Sequence, residues 1–316
     1  MKGINQKDTF PLRLIIRDRM KILVIGNATY DVTFPVETFP VENTKNRVDN
    51  KVECGGGPAY NAAYLLGKWG MDTTFAGIIG HDIFGAKIAK QLQSVNIDIK
   101  YIQVSSEFPT TNAFIIANTS VGSRTVLTYK PGTMKMKDFE LDFEPDVILV
   151  DGQEYDMSVK FINKYPNAVS IIDAGRPKEH IIELSKMADY VVCSKEFAEE
   201  VTQIKINEEK DQIDLYKKMD SLFKGEVIIT LEAKGALYKY NNQIKRMPSI
   251  EVKAVDSTGA GDIFHGAFTY AIANGYNVEE AVMIGNIAGA YSVTKIGSLD
   301  SMPGKEDIRK YYNEFK

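Results

Sequence analysis

The stretch Val255-Asp256-Ser257-Thr258-Gly259-Ala260-Gly261-Asp262 ends a run of small residues with a carboxylate, and an apolar segment follows directly. Apolar residues then recur with a helical period as far as Asn274-Gly275, which is a typical helix stop. The pattern predicts a glycine turn that opens a helix and places Asp262 in its first turn. Backbone N–H groups at such a turn bind anions, helped by the positive end of the helix dipole. The stretch therefore indicates phosphoryl transfer to a hydroxyl group.

A second glycine-rich segment, Cys54-Gly55-Gly56-Gly57-Pro58-Ala59-Tyr60-Asn61, lies far upstream. Its three glycines permit a ligand to approach the backbone closely, and Pro58 suits the first position of a helix. Asn61 would fall in the first turn of that helix and face whatever the loop holds. Taken alone, the segment is also compatible with a flexible loop and a helix cap, because it matches neither a dinucleotide fingerprint nor a Walker A loop.

Short apolar runs alternate with helical stretches along most of the chain, and this rhythm predicts an α/β fold with a parallel, helix-flanked sheet. Asp31 follows the first run closely, at the sheet edge where ligands gather in such folds; a turn-forming aspartate is the alternative. The run at 73–80 is predicted to be one continuous strand. The predicted strands of the main sheet span residues 21–27, 73–80, 147–150, 168–172, 190–192 and 227–231.

Two other segments have a different character. Residues 32–54 contain two prolines and no helical period, so they form either exposed strands or an irregular loop. Residues 111–117 and 123–129 have strand-like composition and no room for a crossover helix between them, so they should pair antiparallel. Together these segments predict a second, small sheet. Arg124 within it either reaches an anionic or polyhydroxyl ligand or is a solvated edge charge.

The composition excludes several classes of function. With 316 residues, 44% hydrophobic and 25% charged, the chain resembles an ordinary globular protein. A formal net charge of −4 argues against a nucleic-acid-binding surface. Cys54 and Cys193 stand far apart without nearby ligand-type residues, which argues against a disulfide scaffold or a zinc site and favours a cytoplasmic protein. No apolar run is long enough to predict a membrane span.

Residues 1–19 form a separate segment in the sequence. Their apolar part is interrupted by Arg13 and lacks a small-residue cleavage site, so they do not resemble a secretory signal. The first strand begins directly after Met20. We therefore expect an N-terminal extension at 1–19 and a catalytic domain at 20–316, with the strands of the small sheet inserted at about 32–54 and 108–130.

The chain has no P-loop, no serine nucleophile elbow and no H-E-x-x-H pair. Over about residues 20–316 it resembles the ribokinase-like (PfkB) family of carbohydrate kinases. The stretch 256–262 resembles the C-terminal signature of that family, with Ser257 in place of the usual threonine, and 56–63 resembles its N-terminal signature. The resemblance implies a three-layer αβα main domain with a parallel-dominated sheet, and a small β-sheet lid that is often used for dimerisation.

The resemblance also implies an ATP-dependent sugar kinase and assigns roles to its residues. Asp262 would be the base that takes the proton from a primary hydroxyl, and the N–H groups of Gly259, Ala260 and Gly261 would form the anion hole. The resemblance further implies contacts to the sugar and to the nucleotide. The sugar contacts are Asp31, Gly56, Gly57 and Asn61, with Asp151 and Arg124 as additional candidates. The nucleotide contacts are Thr230, Gly235, Asn286 and Gly297.

Two ion sites follow from the resemblance. The N-x-x-E element that the family uses near Mg²⁺ and phosphate is altered here to Ser194-Lys195-Glu196-Phe197, so Glu196 becomes the candidate magnesium ligand, one position early. Asp256 and Thr258 stand where many members bind a monovalent cation such as K⁺.

The substrate class remains open among several alternatives. A free pentose or ketohexose is the leading interpretation, because no cluster of basic residues marks a site for a second phosphate. A nucleoside kinase or a sugar-phosphate kinase on the same fold is the first alternative. A catalytically inactive, sugar-binding regulatory protein is the second alternative, and the intact Asp262 argues against it.

Overall fold

An eight-stranded sheet forms the centre of the molecule. The computed structural model describes residues 20–130, 132 and 134–315, so the predicted extension at 1–19 lies outside the described residues. The strands of this sheet are β1 (Lys21–Ile25), β4 (Asp72–Ala76), β9 (Val147–Val150), β10 (Val169–Ala174), β11 (Tyr190–Ser194), β12 (Glu226–Thr230), β13 (Ala236–Tyr240) and β14 (Gln243–Met247). Their spatial order is β14-β13-β12-β11-β10-β9-β1-β4. All neighbours pair parallel except β12 with β13 and β13 with β14, and this last pair is a hairpin across Asn241-Asn242.

Helices cover both faces of this sheet. Successive residues of β1 point to opposite faces, so Ile22 and Val24 belong to one apolar core while Leu23 and Ile25 belong to the other. On the first face lie α1 (Pro58–Lys68), α2 (Ile83–Ser94), α7 (Ala260–Ala273), α8 (Val278–Ser292) and α9 (Lys305–Phe315). On the second face lie α3 (Tyr155–Lys164), α4 (Glu179–Ser185), α5 (Lys195–Thr202) and α6 (Glu209–Leu222).

A separate four-stranded sheet stands apart from the main one. Its strands are β2 (Thr29–Val36), β3 (Val52–Gly56), β7 (Asn112–Asn118) and β8 (Ser123–Tyr129), in the order β3-β2-β7-β8. The predicted antiparallel pairing of the last two is confirmed. The predicted fold class, an α/β fold with a mostly parallel sheet and a small second sheet, is therefore confirmed. Residues 37–51 between β2 and β3 are an exposed loop, so both alternatives predicted for 32–54 occur, with strands at its two ends and a loop between them.

The single strand predicted at 73–80 is wrong, because the chain divides there. The first part is β4 in the main sheet, whereas β5 (Ile78–Gly80) pairs with β6 (Gln103–Ser105) in a two-stranded sheet. The break falls at Gly77, where an added Cβ would lie 2.6 Å from the carbonyl oxygen of Gly26. This close approach of two backbones admits only glycine, and it lets the chain leave the main sheet.

The carboxyl ends of the parallel strands meet at one edge of the main sheet. The loop after β1, the loop after β9 and the end of β10 all open there, as do the N-termini of α1 and α7. β2 follows the loop after β1, so the small sheet begins at the same edge. The two glycine-rich segments are thereby placed beside each other although they lie far apart in sequence.

Candidate active site

The glycine turn before α7 places backbone N–H groups beside open space. Gly259 precedes the helix in the left-handed region (φ 76°) and has no side chain to cap it. The first N–H groups of any helix have no partner within the helix, and the N–H of Ala260 makes only a long hydrogen bond of 3.5 Å to the carbonyl oxygen of Ser257. A Cβ added at Gly261 would meet no atom of the described residues within 4 Å, so space is open beside the turn. A helix N-terminus that faces open space fits a phosphoryl group.

Asp262 lies in the first turn of α7 and contacts the other glycine segment. Its Oδ2 accepts a hydrogen bond of 2.7 Å from Asn61 Nδ2. Burial raises the pKa of Asp262 above its usual range, while the Asn61 hydrogen bond and the positive charges of His265 and Arg124 oppose the rise. The carboxylate therefore keeps a stronger affinity for a proton than an exposed aspartate, as general-base catalysis requires.

The N-terminus of α1 positions Asn61. Gly57 adopts φ 97° directly before the helix and Pro58 occupies its first position, as predicted. The N–H of Asn61 donates to the carbonyl oxygen of Gly57 at 2.9 Å. The side chain is 2% exposed, and its Oδ1 has no hydrogen-bond partner in the described structure. Because a buried carbonyl oxygen without a donor is costly, Oδ1 is suited to accept from a ligand hydroxyl.

Asp31 lies on β2, where it packs against the glycine segment. An added Cβ at Gly56 would lie 2.0 Å from Asp31 Oδ2, so only glycine fits between this carboxylate and the backbone of β3. Thr29 Oγ1 donates to Asp31 Oδ1 at 2.7 Å. Burial raises the pKa of Asp31 to about 6, and Asp262 and Asp256 add to the rise. The carboxylate remains available as an acceptor at neutral pH.

Asp151, a predicted sugar contact, has its carboxylate occupied by the backbone. Its Oδ2 accepts from the N–H of Asn27 at 2.8 Å and of Ala59 at 3.2 Å, and its Oδ1 accepts from the N–H of Gln153 at 2.9 Å. These bonds tie the loop after β1 to the start of α1. Burial raises the pKa of Asp151, and the three bonds oppose that rise. The geometry gives this residue a role in holding the site together.

Arg124 reaches the signature turn from the small sheet. Alternating residues of a strand share a face, and the β2–β7 and β7–β8 registers place Arg124 on the same face as Asp31. Arg124 Nη1 donates to Ser257 Oγ at 2.5 Å. Its positive charge opposes the rise that burial causes in the pKa of Asp262. Arg124 is exposed, and it bridges the small sheet to the turn.

The predicted nucleotide contacts lie at three places. Gly235 and Asn286 both meet the end of β14: a Cβ added at Gly235 would lie 1.9 Å from the carbonyl oxygen of Met247, and Asn286 Nδ2 donates to the same oxygen at 3.4 Å. Thr230 lies at the carboxyl end of β12 and its hydroxyl donates to the carbonyl oxygen of Cys193 at 3.2 Å. The N–H of Gly297 donates to Asp256, which is described next.

The two candidate cation ligands stand next to one another. Asp256 is 1% exposed, and its two oxygens accept from the N–H of Thr258 at 2.9 Å and of Gly297 at 3.0 Å. Thr258 Oγ1 is buried without a hydrogen-bond partner in the described structure. A carboxylate and an unpartnered hydroxyl oxygen form a donor set that fits a hard monovalent cation.

Glu196, the candidate magnesium ligand, is exposed, unlike the buried Asp256. It begins α5 with its side chain 56% exposed, and Arg176 Nε lies 3.9 Å from its Oε1. Across residues 20–130, 132 and 134–315, no group of three or more His, Cys, Asp or Glu residues has the arrangement of a metal site. Mg²⁺ commonly uses one or two carboxylates together with substrate phosphates, so a single exposed glutamate is compatible with such a site.

Sequence reasoning missed two ionisable residues, Glu154 and Lys130, which line a cleft beside the loop after β1. Glu154 follows β9 and is 7% exposed; burial raises its pKa to about 7, while Lys130 and the N–H of Met136 oppose the rise. Lys130 comes from the chain after β8. Both line one cleft with Asn27 and Thr111. The position of Glu154 at the carboxyl end of a strand was a signal that could have identified it, as it did Asp151.

No helix among the described residues has both the length and the apolar character needed to cross a bilayer.

The chain is similar to known kinases along most of its length. The pfkB family carbohydrate kinase model matches residues 19–305. Ribokinase of Staphylococcus aureus (strain COL) is 27% identical over 301 residues, covering 92% of this chain and 99% of that protein. A nucleoside kinase of Methanocaldococcus jannaschii is 24% identical over 290 residues, covering 90% of this chain and 93% of that protein. The structure of Arabidopsis thaliana ribokinase complexed with ribose and ATP has a TM-score of 0.76 at 22% identity, covering 92% of this chain and 98% of that one, which is a likeness of fold. The resemblance predicted from the two glycine segments is confirmed, and the chain belongs to the PfkB family of carbohydrate kinases.

Proposed function

We propose that this kinase transfers the terminal phosphoryl group of ATP to a primary hydroxyl of a free sugar, a pentose or a ketohexose. The observation that carries the proposal is the hydrogen bond between Asn61 and Asp262, which joins a polar, glycine-lined pocket to an anion-binding turn. A substrate hydroxyl held in the pocket would lie beside the turn. Phosphoryl transfer depends mainly on such positioning and on charge stabilisation.

Asp262 is the proposed base. It would accept the proton of the substrate hydroxyl as the new bond to phosphorus forms, since its carboxylate lies at the N-terminus of α7. The N–H groups of Gly259, Ala260 and Gly261 would hold the charge of the transferred group. Arg124, now bonded to Ser257, is close enough to influence Asp262 and would add a positive charge over the same region.

Asp31 and Asn61 are the proposed sugar-binding side chains. A carboxylate accepts two hydroxyl hydrogens, and the unpartnered Asn61 Oδ1 accepts one more. The backbone of Gly56 and Gly57 would line the same pocket, and Asp151 would support it from behind. A sugar hydroxyl seated here would give Asn61 Oδ1 the donor that it lacks among the described residues.

The ionisable residues of the cleft beside the loop after β1 favour a neutral sugar over a sugar phosphate. Lys130 is the one cation among the described residues that line this cleft, and the acidic Glu154 lines it too. A second phosphate would therefore meet a single lysine with an acidic neighbour. Arginine as a bidentate donor and lysine as a point charge are common phosphate-binding groups, and an acidic neighbour weakens the attraction of either.

ATP is the proposed phosphoryl donor, and it supplies the group that is transferred. Thr230, Gly235, Asn286 and Gly297 would border the nucleotide, with Glu196 as the protein contact for Mg²⁺ and with Asp256 and Thr258 holding K⁺. Because Thr230, Asn286 and Gly297 already make hydrogen bonds within the protein, these residues would shape the nucleotide pocket as well as line it.

A nucleoside kinase is the second candidate, since one relative carries that name. Val126 supports it, because this apolar side chain is 43% exposed on the face of the small sheet that carries Arg124, where a base could pack. An inactive sugar-binding protein is the weakest alternative, because it would have no need to keep the Asn61–Asp262 contact.

We also propose that residues 20–316 form one catalytic unit in which the small sheet, with its strands inserted at about 32–54 and 108–130, acts as a lid and a dimer surface. Phe114, Leu127 and Tyr129 share the face of that sheet opposite to Arg124, and they are 44%, 61% and 56% exposed. Edge strands with exposed apolar side chains favour pairing with another copy. Sedimentation of the protein and of Leu127→Glu tests this; equal monomer masses for both would contradict it.

A screen of ADP release against free sugars, sugar phosphates and nucleosides tests the proposed function, with Asp262→Asn as the control protein. We expect turnover on a free pentose or ketohexose and little with the control. Turnover only on nucleosides or on sugar phosphates would replace the substrate assignment. Binding of a sugar without turnover would favour the regulatory protein.

A further inference from the structure

His265 lies one turn after Asp262 in α7 and is almost fully enclosed. Its side chain is 4% exposed, and both of its ring nitrogens contact oxygen atoms. Nδ1 lies 2.6 Å from the carbonyl oxygen of Gly261, and Nε2 lies 3.0 Å from the carbonyl oxygen of Val192 on β11. The ring therefore connects the anion-binding turn to the centre of the main sheet.

These contacts determine the protonation state of the ring. A backbone carbonyl oxygen only accepts, so each contact requires a hydrogen on the nitrogen that faces it. A neutral imidazole carries one such hydrogen and would leave a nitrogen lone pair opposed to a carbonyl oxygen at one of the two positions. An imidazolium carries both hydrogens and satisfies both contacts.

A carboxylate is present to balance that charge. Asp173 lies at the end of β10 with its Oδ2 at 3.3 Å from His265 Nδ1, and the residue is 9% exposed. Burial raises the pKa of Asp173 to about 7, and the charge of His265 opposes the rise. Nδ1 is nearer to the carbonyl oxygen of Gly261, at 2.6 Å, than to Asp173 Oδ2. Because that carbonyl oxygen can only accept, the hydrogen between Nδ1 and these oxygens belongs on the ring.

The surroundings of this pair are dominated by acidic groups. Asp262 on the same helix and Asp151 after β9 both raise the pKa of Asp173, and the Cys193 thiol on β11 is the other titratable group that interacts with it. Arg124 on β8 is the second cation that acts on Asp262, but it is exposed. Charge at an exposed position is screened by solvent and salt, whereas charge at a buried position is screened much less.

We propose that His265 is a positioning residue of the phosphoryl-transfer site: as an imidazolium paired with Asp173, it supplies the buried positive charge that keeps Asp262 ionised and holds the carbonyl oxygen of Gly261. The proposal rests on the function of Asp262 as the base. His265 would act on the ionisation of Asp262 from the side of α7 that packs against the main sheet.

The first consequence concerns catalysis as a function of pH. Losing the imidazolium removes a charge that favours the ionised form of Asp262, so the pKa of Asp262 rises further. The acidic limb of kcat/KM should then move to higher pH. On that limb the variant should lose about tenfold in kcat/KM, and well above it the activity should approach that of the unchanged protein.

Nitrogen NMR of the unchanged protein, labelled at its histidines, tests the charge state directly. The chain has three histidines, and a spectrum of His265→Gln assigns the signal of His265. We expect both ring nitrogens of His265 to carry hydrogen at neutral pH. A single protonated nitrogen at neutral pH would overturn the proposal whatever the enzyme does.

The profile of kcat/KM against pH for His265→Gln tests the effect on the base. Glutamine keeps one amide donor but no charge, and it should move the acidic limb upward. Asp173→Asn removes the carboxylate that balances the imidazolium, so nitrogen NMR of this variant should show His265 losing its second ring hydrogen at a lower pH than in the unchanged protein. Loss at the same pH in both proteins would contradict the pairing with Asp173. A loss in His265→Gln that is equal at every pH, with an unchanged melting temperature, would indicate a merely structural role and contradict the proposal.

Asp262→Asn distinguishes this proposal from the proposed function. Full activity in that variant would remove Asp262 as the base, while the NMR result would still decide the charge of His265. Low activity in Asp262→Asn together with an unmoved limb in His265→Gln would leave the base assignment intact and reject the role of His265.

Discussion

Asn61 Nδ2 and Asp262 Oδ2 lie 2.7 Å apart although 201 residues separate them in sequence. The contact joins the N-termini of α1 and α7, which enter the same edge of the main sheet from two distant parts of the chain. One of these termini carries the glycine segment that we propose lines the sugar pocket, and the other carries the turn that we propose binds the transferred phosphoryl group. A substrate hydroxyl near this hydrogen bond would be within reach of both.

Sugar affinity should depend on the ionisation of Asp31. Its pKa is raised to about 6 by burial, so the carboxylate is protonated below that pH and loses an acceptor for substrate hydroxyls. We expect KM for the sugar to rise as the pH falls through about 6, while Asp31→Asn shows a high KM with little dependence on pH in this range. Steady-state kinetics at saturating ATP measure both. A KM that stays constant between about pH 8 and pH 5 would contradict the role of Asp31.

Gly56→Ala should damage the sugar pocket more than the fold. The added Cβ would lie 2.0 Å from Asp31 Oδ2, so the carboxylate must move. Overpacking of this kind costs about 1–3 kcal/mol of stability, and we expect KM for the sugar to rise about tenfold or more, in proportion to a lost charged hydrogen bond.

Gly175→Ala is the matched control for that change, because an added Cβ there meets no atom within 4 Å. Its stability and KM should stay near those of the unchanged protein. Equal KM values for Gly56→Ala and Gly175→Ala would show that Asp31 does not need its present position.

The fold was largely predictable because each strand is short, apolar and separated from the next by a helical stretch, so periodicity alone identifies the α/β class. The break in the strand at Gly77 was not predictable. Its apolar neighbours continue the strand pattern on both sides, and the reason for the break is a contact with Gly26, which lies far away in sequence.

The candidate site was only partly predictable. The two glycine segments and Asp262 have distinctive local sequences, and the structure brings Asn61 to Asp262. Lys130 and Glu154 line one cleft, and His265 contacts Asp173. Both arrangements depend on which strands are neighbours in the sheet. Neither pair has a spacing in sequence that would reveal it.

Gly261→Ala should reduce catalysis without destabilising the protein. The position is at the start of α7 and an added methyl group meets no atom within 4 Å, so alanine should raise helix stability by about 0.5–1 kcal/mol. The same methyl group would occupy the space proposed for the transferred phosphoryl group. We expect kcat to fall about tenfold or more while the melting temperature is maintained or increased, in line with the loss of one anion-stabilising contact. Unchanged kcat would argue against an anion hole at this turn.

Thr258→Val should separate cation dependence from folding. The hydroxyl of Thr258 is buried and has no partner among residues 20–130, 132 and 134–315, so a valine of similar shape should cost little stability. We expect the unchanged protein to be faster in K⁺ than in a large organic cation, and Thr258→Val to lose most of this difference. Rates in K⁺ and in the organic cation that are equal for the unchanged protein would count against the cation site.

The role of Asp262 as the base is tested most directly by the steady-state kinetics of Asp262→Asn on the sugar identified by the screen. Asparagine keeps the size of the side chain and an oxygen that can accept from Asn61, but it cannot take a proton at neutral pH. We predict that kcat falls by about 10² to 10⁴, the range typical of a lost general base, while KM for the sugar changes little. A kcat within about twofold of the unchanged protein, at every pH, would contradict the assignment of Asp262 as the base.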